Sequence, residues 1–171
     1  NFETSWYFRD QPLLRKELNG ATLEASWRNW EAQSTSAIRR MQELETENNR
    51  LFIAAYGLDG ELQPEVPEAQ ITLARAEARR DMAAFLSYAV GCMMGRYSLD
   101  KPGLIYAHSG NQDFDLSQYK TFRADDDGII PLLETDWGIR DDATNRFVEF
   151  ISIAWPKERL EENLTFIADC L

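Results

Sequence analysis

Two cysteines and a single histidine are all the thiolate and imidazole metal-ligand chemistry that these 171 residues offer. Cys92 and Cys170 lie far apart, which suits neither the disulfide framework of a small secreted domain nor the closely paired ligands of a zinc site. Two reduced thiols in a cytoplasmic protein are the expectation. Long apolar runs are missing too: none approaches the roughly 18 residues needed to span a bilayer, and mean hydropathy is −0.46. Basic charge is scarce. Lys and Arg number 18 against 29 Asp and Glu, for a net charge of −11 and a pI near 4.6. The surface as a whole therefore repels a phosphate backbone, which disfavours an autonomous nucleic-acid binder. What is present, 44% hydrophobic residues with 12% aromatics, excludes a disordered chain and supplies one domain core. The net charge divides as −1 over residues 1–57, −3 over 58–100 and −7 over 101–171, so the acidity sits in the last third.

Glycine and proline are absent from Thr22 to Tyr56. Over the same stretch Leu23, Trp27, Trp30, Ser34, Ala37, Met41, Leu44, Asn48, Leu51, Ala55 and then Leu58 alternate three and four apart, a heptad spacing. This predicts a helix over 22–56, roughly 50 Å long, closed by Gly57 in the left-handed conformation with Leu58 turned back toward Ile53. Ser34, Ala37 and Asn48 thin the seam, which favours packing against other helices of the same protein over a two-stranded zipper. A turn-rich connector with Pro64 and Pro67 follows. The next helix spans about 72–97, its start lying between Glu68 and Glu77, with Met82, Phe85, Leu86, Ala89, Val90, Met93 and Met94 on a broad apolar face. No charge interrupts Met82 to Gly95, so this helix is expected to be buried on most sides, and Gly91 with Gly95 predicts the close crossing of another backbone. Glycines and prolines scattered over 98–138 predict an irregular segment with short strands or single helical turns. Asp141 or Asp142 can cap a third helix, which Pro156 ends, and Pro156 can open a fourth carrying Leu160, Leu164, Ile167, Ala168 and Leu171, giving a helix pair over 142–171. The fold class is mainly α, a single helical domain over 1–171. The lack of an initiator Met and the close at Leu171 within an apolar helical pattern suggest a piece of a larger protein.

Catalytic and metal-binding patterns are not found. His108 would have to anchor any Ser-His-Asp or Cys-His arrangement, and its Gly-rich surroundings (His108, Ser109, Gly110, Asn111) read as an ordinary loop. Asp113 and Asp115 begin an alternating acidic run, but Gln118 and Ala124 stand where a calcium loop needs Gly and Glu, and Asp125–Asp127 fail the same template. These acids are expected in solvated turns. Glu161 and Glu162 are adjacent on a helix and diverge. No phosphate-cradling loop, dinucleotide fingerprint or Asn-Pro-Pro-Tyr motif occurs. Catalytic, cofactor and metal residues are therefore all expected to be absent from this stretch. Arg39, Arg40, Arg75, Arg79 and Arg80 are the candidate DNA contacts, weighed against pairing with Glu43, Glu77 and Asp81. Arg96 and Tyr97 close the second helix, where a cation is favoured.

Several runs resemble one family across nearly the whole chain and in the same order. They are Glu3-Thr-Ser-Trp6, Glu47-Asn-Asn-Arg-Leu-Phe-Ile53 on to Tyr56-Gly-Leu58, Glu65-Val-Pro67, Ser87-Tyr-Ala-Val-Gly-Cys-Met-Met-Gly-Arg-Tyr-Ser-Leu-Asp100, Arg146-Phe-Val-Glu-Phe150, Leu160-Glu-Glu-Asn-Leu164 and Phe166-Ile-Ala-Asp169. The chain resembles PglX-type adenine-specific DNA methyltransferases of BREX phage-defence systems, and related type II restriction-modification methylases. The run from Ser87 to Asp100 is the most specific. The resemblance implies a parent enzyme that moves a methyl group from S-adenosylmethionine to the N6 of adenine in double-stranded DNA, with its methyltransferase domain before Asn1. Since the cofactor and Asn-Pro-Pro-Tyr motifs do not occur, no catalytic residue carries over, and this stretch binds no cofactor of its own. Relatives are longer between the equivalents of Thr72 and Asp81, which makes that stretch compact here.

Three roles follow from these readings. The first is a non-catalytic helical spacer and docking segment that positions target recognition against the catalytic domain of the same chain. The second is part of the DNA-reading surface, through the five arginines. The third is a protein-interaction module contacting another component of the defence system, with no membrane involved.

Overall fold

The computed structural model describes residues 8–106, 114–132 and 141–171, and these are mainly helical. In order come α1 (Leu23–Tyr56), α2 (Ala78–Met93), α3 (Ala143–Ala154) and α4 (Leu160–Cys170), with single 3-10 turns at Pro12–Leu14, Glu68–Gln70, Leu116–Gln118 and Lys157–Arg159. Among the described residues no strand forms, so 98–106 and 114–132 take the irregular course with one helical turn. The chain divides into two compact units. One is Arg28–Glu77; the other takes the residues up to Trp27 and then Ala78–Leu171.

In the larger unit the core gathers around α2. Phe85 is fully buried, with ring centroids of Phe150, Trp155 and Phe147 at 5.8, 5.7 and 6.3 Å. Phe122 meets Phe150 edge-on at 5.2 Å. The helix starts of this unit are closed by local caps and, at α1, by one side chain from a distant part of the sequence. Thr22 caps α1 by accepting the Ala25 N–H at 3.1 Å, and the Leu23 N–H donates to Asn163 Oδ1 on α4 at 2.8 Å. Ser26 is fully buried and satisfied: its hydroxyl donates to the Thr22 carbonyl and accepts from the Gly20 N–H and from Trp155 Nε1. Asp142 is the α3 cap, accepting the Asn145 N–H at 2.9 Å. Pro156 stands just before the 3-10 turn that leads into α4, so it ends α3 as expected but does not itself open the fourth helix.

Helix α2 is shorter than the spacing predicts, but it is buried round most of its circumference as expected: eight of its 16 residues are buried, and the exposed Arg79, Arg80, Ala83, Ser87 and Val90 form one strip. It begins only at Ala78 because Thr72–Glu77 is spent on α1, as described below. It ends at Met93 because Gly95 adopts φ +73°, letting the Arg96 N–H donate to Gly91 O at 2.7 Å and the Gly95 N–H to Cys92 O at 3.1 Å. Its buried side carries Met82, Phe85, Ala89 and Met93, while Val90 and Met94 are exposed. Among the described residues no other helix crosses at Gly91 and Gly95. The turn after Gly95 folds the chain back so that the Tyr97 ring lies on Gly91, and Phe114 lies on Gly95. The small residues admit aromatic rings from their own neighbourhood in place of a backbone.

In the smaller unit α1 closes as expected: Gly57 has φ +68°, the Leu58 N–H donates to Ile53 O at 2.9 Å and the Gly57 N–H to Ala54 O at 3.1 Å. The heptad seam packs only in its first part, where Ser34 is buried and Met41 borders the apolar cluster. The segment 64–77 returns along α1 and docks on a neighbouring face. Buried Val66 and Ile71 join Ile38, with Met41 and Leu73 alongside. Gln42 Nε2 donates to Val66 O at 2.8 Å, the Val66 N–H donates to the Thr46 hydroxyl at 3.3 Å, and Asn49 Nδ2 donates to Pro64 O at 3.2 Å. Leu44 and Leu51, about a third of a turn away around the helix, are left exposed.

Candidate functional site

The five candidate arginines divide between the two units. Arg39, Arg40 and Arg75 belong to the smaller unit; Arg79 and Arg80 begin α2 in the larger one. Arg39 and Arg79 are exposed. Arg40 is exposed and pairs with Glu43 at 3.1 Å, one helical turn on, the pairing its spacing predicts. Arg75 turns inward on its own segment, donating to Ile71 O at 3.0 Å and to Glu68 O at 2.6 Å, and so closes the 3-10 turn at Glu68–Gln70. Arg80 Nε lies 3.9 Å from Asp81 Oδ1. Asp81 is itself buried and accepts from Trp27 Nε1 at 3.1 Å, an indole-carboxylate contact that no spacing rule marks.

The acidic last third contains an open cavity of about 870 Å³ lined by Asp125, Asp126, Asp127, Asp141 and Glu149 together with Arg123 and Arg146. Four of these five carboxylates, those of Asp125, Asp126, Asp127 and Glu149, are spent locally. Asp125 accepts the N–H groups of Asp127, Gly128 and Ile129 at 3.1, 2.7 and 3.2 Å, and Asp126 pairs with Arg123 at 2.9 Å. Partial burial alone would raise the Asp125 pKa, but the turn N–H groups outweigh it and hold the carboxyl below its usual range. Arg146 pairs with Glu149, donates to Arg123 O and stacks over Phe122 at 4.4 Å. Asp115 caps its own turn through the Ser117 N–H at 3.0 Å, and that bonding lowers its pKa. His108 and Asp113 lie outside the described residues. Among the described residues no group of three or more His, Cys, Asp or Glu side chains is placed to hold a metal ion, and neither Cys92 nor Cys170 is in a disulfide.

The run from Ser87 to Asp100 forms a tightly bonded structural knot. Tyr88 and Tyr97 stack at 5.1 Å and 17°, with Phe8 5.0 Å from Tyr97. Burial holds the Tyr88 phenol far above its ordinary range, so it stays protonated. The Tyr119 hydroxyl donates to Gly95 O at 2.6 Å, and the Ser98 hydroxyl to Gln118 O at 2.7 Å. Asp100 ties the same two segments together by accepting the Lys120 and Thr121 N–H groups at 2.6 and 2.9 Å and the Thr121 hydroxyl. Its slight burial would raise its pKa, and the bonds from Thr121 and Lys120 more than reverse that. A carboxyl whose folded pKa is depressed stabilises the fold above its unfolded pKa of about 3.9, and this contribution disappears as pH falls through that value and below. Asp100→Asn is therefore expected to lower the urea midpoint at pH 7, with the gap to the parent protein closing as pH is taken toward 3. A gap that stays constant with pH would show that the Asp100 charge contributes nothing.

No family model matches the chain. Two curated proteins do, over essentially all of it, and both are adenine-specific methyltransferases. One is the adenine-specific methyltransferase PglX of Lacticaseibacillus casei (strain Zhang), 41% identical over 175 residues that take in 100% of this chain. The other is the adenine-specific methyltransferase BrxX of Escherichia coli O9:H4 (strain HS), 37% identical over 194 residues and 99% of the chain. The resemblance to PglX-type methyltransferases is thus met across the whole chain. The chain spans 14% and 15% of the lengths of these two relatives. Among the described residues no helix is long and apolar enough to cross a membrane.

Proposed function

We propose that this chain is a non-catalytic helical spacer and docking segment of a site-specific DNA adenine-N6 methyltransferase that uses S-adenosylmethionine, of the BREX or restriction-modification kind. The observation that carries the reading is the match of the entire chain to about one-seventh of the length of two adenine-specific methyltransferases. Methyl transfer to an extruded adenine needs the base held within a few ångström of the methyl donor. A segment whose helix caps, turn carboxylates and buried hydroxyls are spent on fixing its own geometry suits the task of setting that distance. A net charge of −11 supports this reading, since the surface as a whole repels a phosphate backbone.

Purified residues 1–171 are accordingly expected to bind no S-adenosylmethionine, to transfer no methyl group to duplex DNA and to leave a duplex unshifted at low salt. Cofactor binding or methyl transfer by the segment alone would overturn the assignment. A salt-dependent duplex shift weakened by Arg39→Ala and Arg79→Ala would move it to the DNA-reading surface.

A further inference from the structure

We propose that the exposed side of the C-terminal half of α1 seats a helix of the same polypeptide lying outside residues 1–171. Within the smaller unit, the chain's own return segment packs on one face of α1 through Val66, Ile71 and Leu73. On the neighbouring side Leu44, Leu51 and Phe52 are 48%, 62% and 56% exposed, with Asn48 and Ala55 between them. These residues keep the three-and-four spacing that meets another helix, over about 18 Å of axis.

The width of the strip bears on what covers it. A two-stranded zipper between copies of the chain would use a narrow seam of first and fourth heptad positions. Here Phe52 extends the apolar strip to about 100° of the helix circumference, the breadth of a face that packs against a folded body. The border on the side of Leu51 carries self-neutralised pairs, Arg40 with Glu43 and Arg50 with Glu47, so it offers no unpaired row of charge to steer a separate partner. Length points the same way. The chain spans 14% and 15% of its relatives, so a polypeptide of their length carries about six times as many residues elsewhere. A helix tethered within one chain is presented at millimolar effective concentration, whereas a second molecule bears the full association entropy. The occupant is thus a helix with Leu, Ile, Phe or Met at three-and-four spacing and few charges on that face.

This inference rests on the reading of the chain as part of a long methyltransferase. Its test places the photoreactive residue p-benzoylphenylalanine at Leu51 in the protein at its native length, with Thr35, an exposed polar position of the same helix, as control. Irradiation followed by peptide mapping is expected to give crosslinks from position 51 to an apolar helical segment outside 1–171, in molecules of unchanged chain mass and in yield several-fold above position 35. Leu51→Asp is expected to leave the circular dichroism of residues 1–171 unchanged while lowering the melting temperature of the native-length protein. Crosslinks that double the chain mass, or a yield no higher than at position 35, would overturn the proposal. Neither result bears on cofactor binding by the segment, so failure here and failure of the spacer reading are separately visible.

Discussion

Replacing Phe85 by alanine is expected to remove about 3–5 kcal/mol of stability, against a total of about 5–15 kcal/mol for an ordinary domain. Phe85 is fully buried, and three aromatic rings meet it within 6.3 Å, from Phe147, Phe150 and Trp155. The loss combines the transfer term of a large apolar side chain, the cavity left between rings too bulky to collapse into it, and edge-to-face contacts worth about 0.5–1.5 kcal/mol beyond area. Phe85→Leu keeps most of the volume and gives up mainly the ring contacts, so its cost is expected to be about 1.5 kcal/mol. Chemical denaturation of both variants separates the terms. An alanine variant within about 1 kcal/mol of the parent would mean that the core of the larger unit is not organised around this side chain.

The second large effect is expected at Gly95. Its φ of +73° strains any residue with a Cβ by about 1–2 kcal/mol. An added methyl would also sit 2.7 Å from Phe114 Cε2 and 3.3 Å from the Tyr119 hydroxyl, which is bonded to the carbonyl of this same residue. Overpacking adds about 1–3 kcal/mol, so Gly95→Ala is expected to cost about 2–5 kcal/mol. Two further alanine variants divide the sum. Gly57 has φ +68° and nothing within 4 Å of a built Cβ, so it reports strain alone. Gly91 reports contact: a Cβ there would lie 2.5 Å from Tyr97 Cδ2, in a ring held by Tyr88 and Phe8, offset by the gain of up to about 1 kcal/mol in helix propensity. If Gly95→Ala costs no more than Gly57→Ala, the Phe114 contact is not there in solution.

How far the sequence discloses the molecule depends on whether the signal is periodic. Helix α1 is legible because glycine and proline are absent until Gly57 and apolar residues recur at helical spacing. Which face of its later part packs is not, because the return segment is held by Gln42, Thr46 and Asn49. Their amides and hydroxyl bond a passing backbone, and polar residues on a helix ordinarily read as solvent-facing. The delayed start of α2 has the same origin, since Ile71 and Leu73 are drawn to Ile38 and Met41 before the helix can begin. Ser26 and Asn163 leave no trace in any window, because each acts on a group well over 100 residues away. The candidate arginines show the limit from the other side. Arg40 with Glu43 is predictable from spacing, whereas the turn of Arg75 onto two carbonyls depends on a bend that spacing does not encode.

The bond from the Leu23 N–H to Asn163 has a consequence for the order in which the chain can fold. At about 5–20 residues per second a ribosome adds the intervening stretch in roughly ten seconds or more. During that time the start of α1 lacks a partner that the finished unit supplies, and Trp27 waits likewise for Phe166. Residues 28–77, whose contacts are local, are under no such delay. The smaller unit is therefore set to form first during synthesis, and the larger one is completed only when α4 arrives.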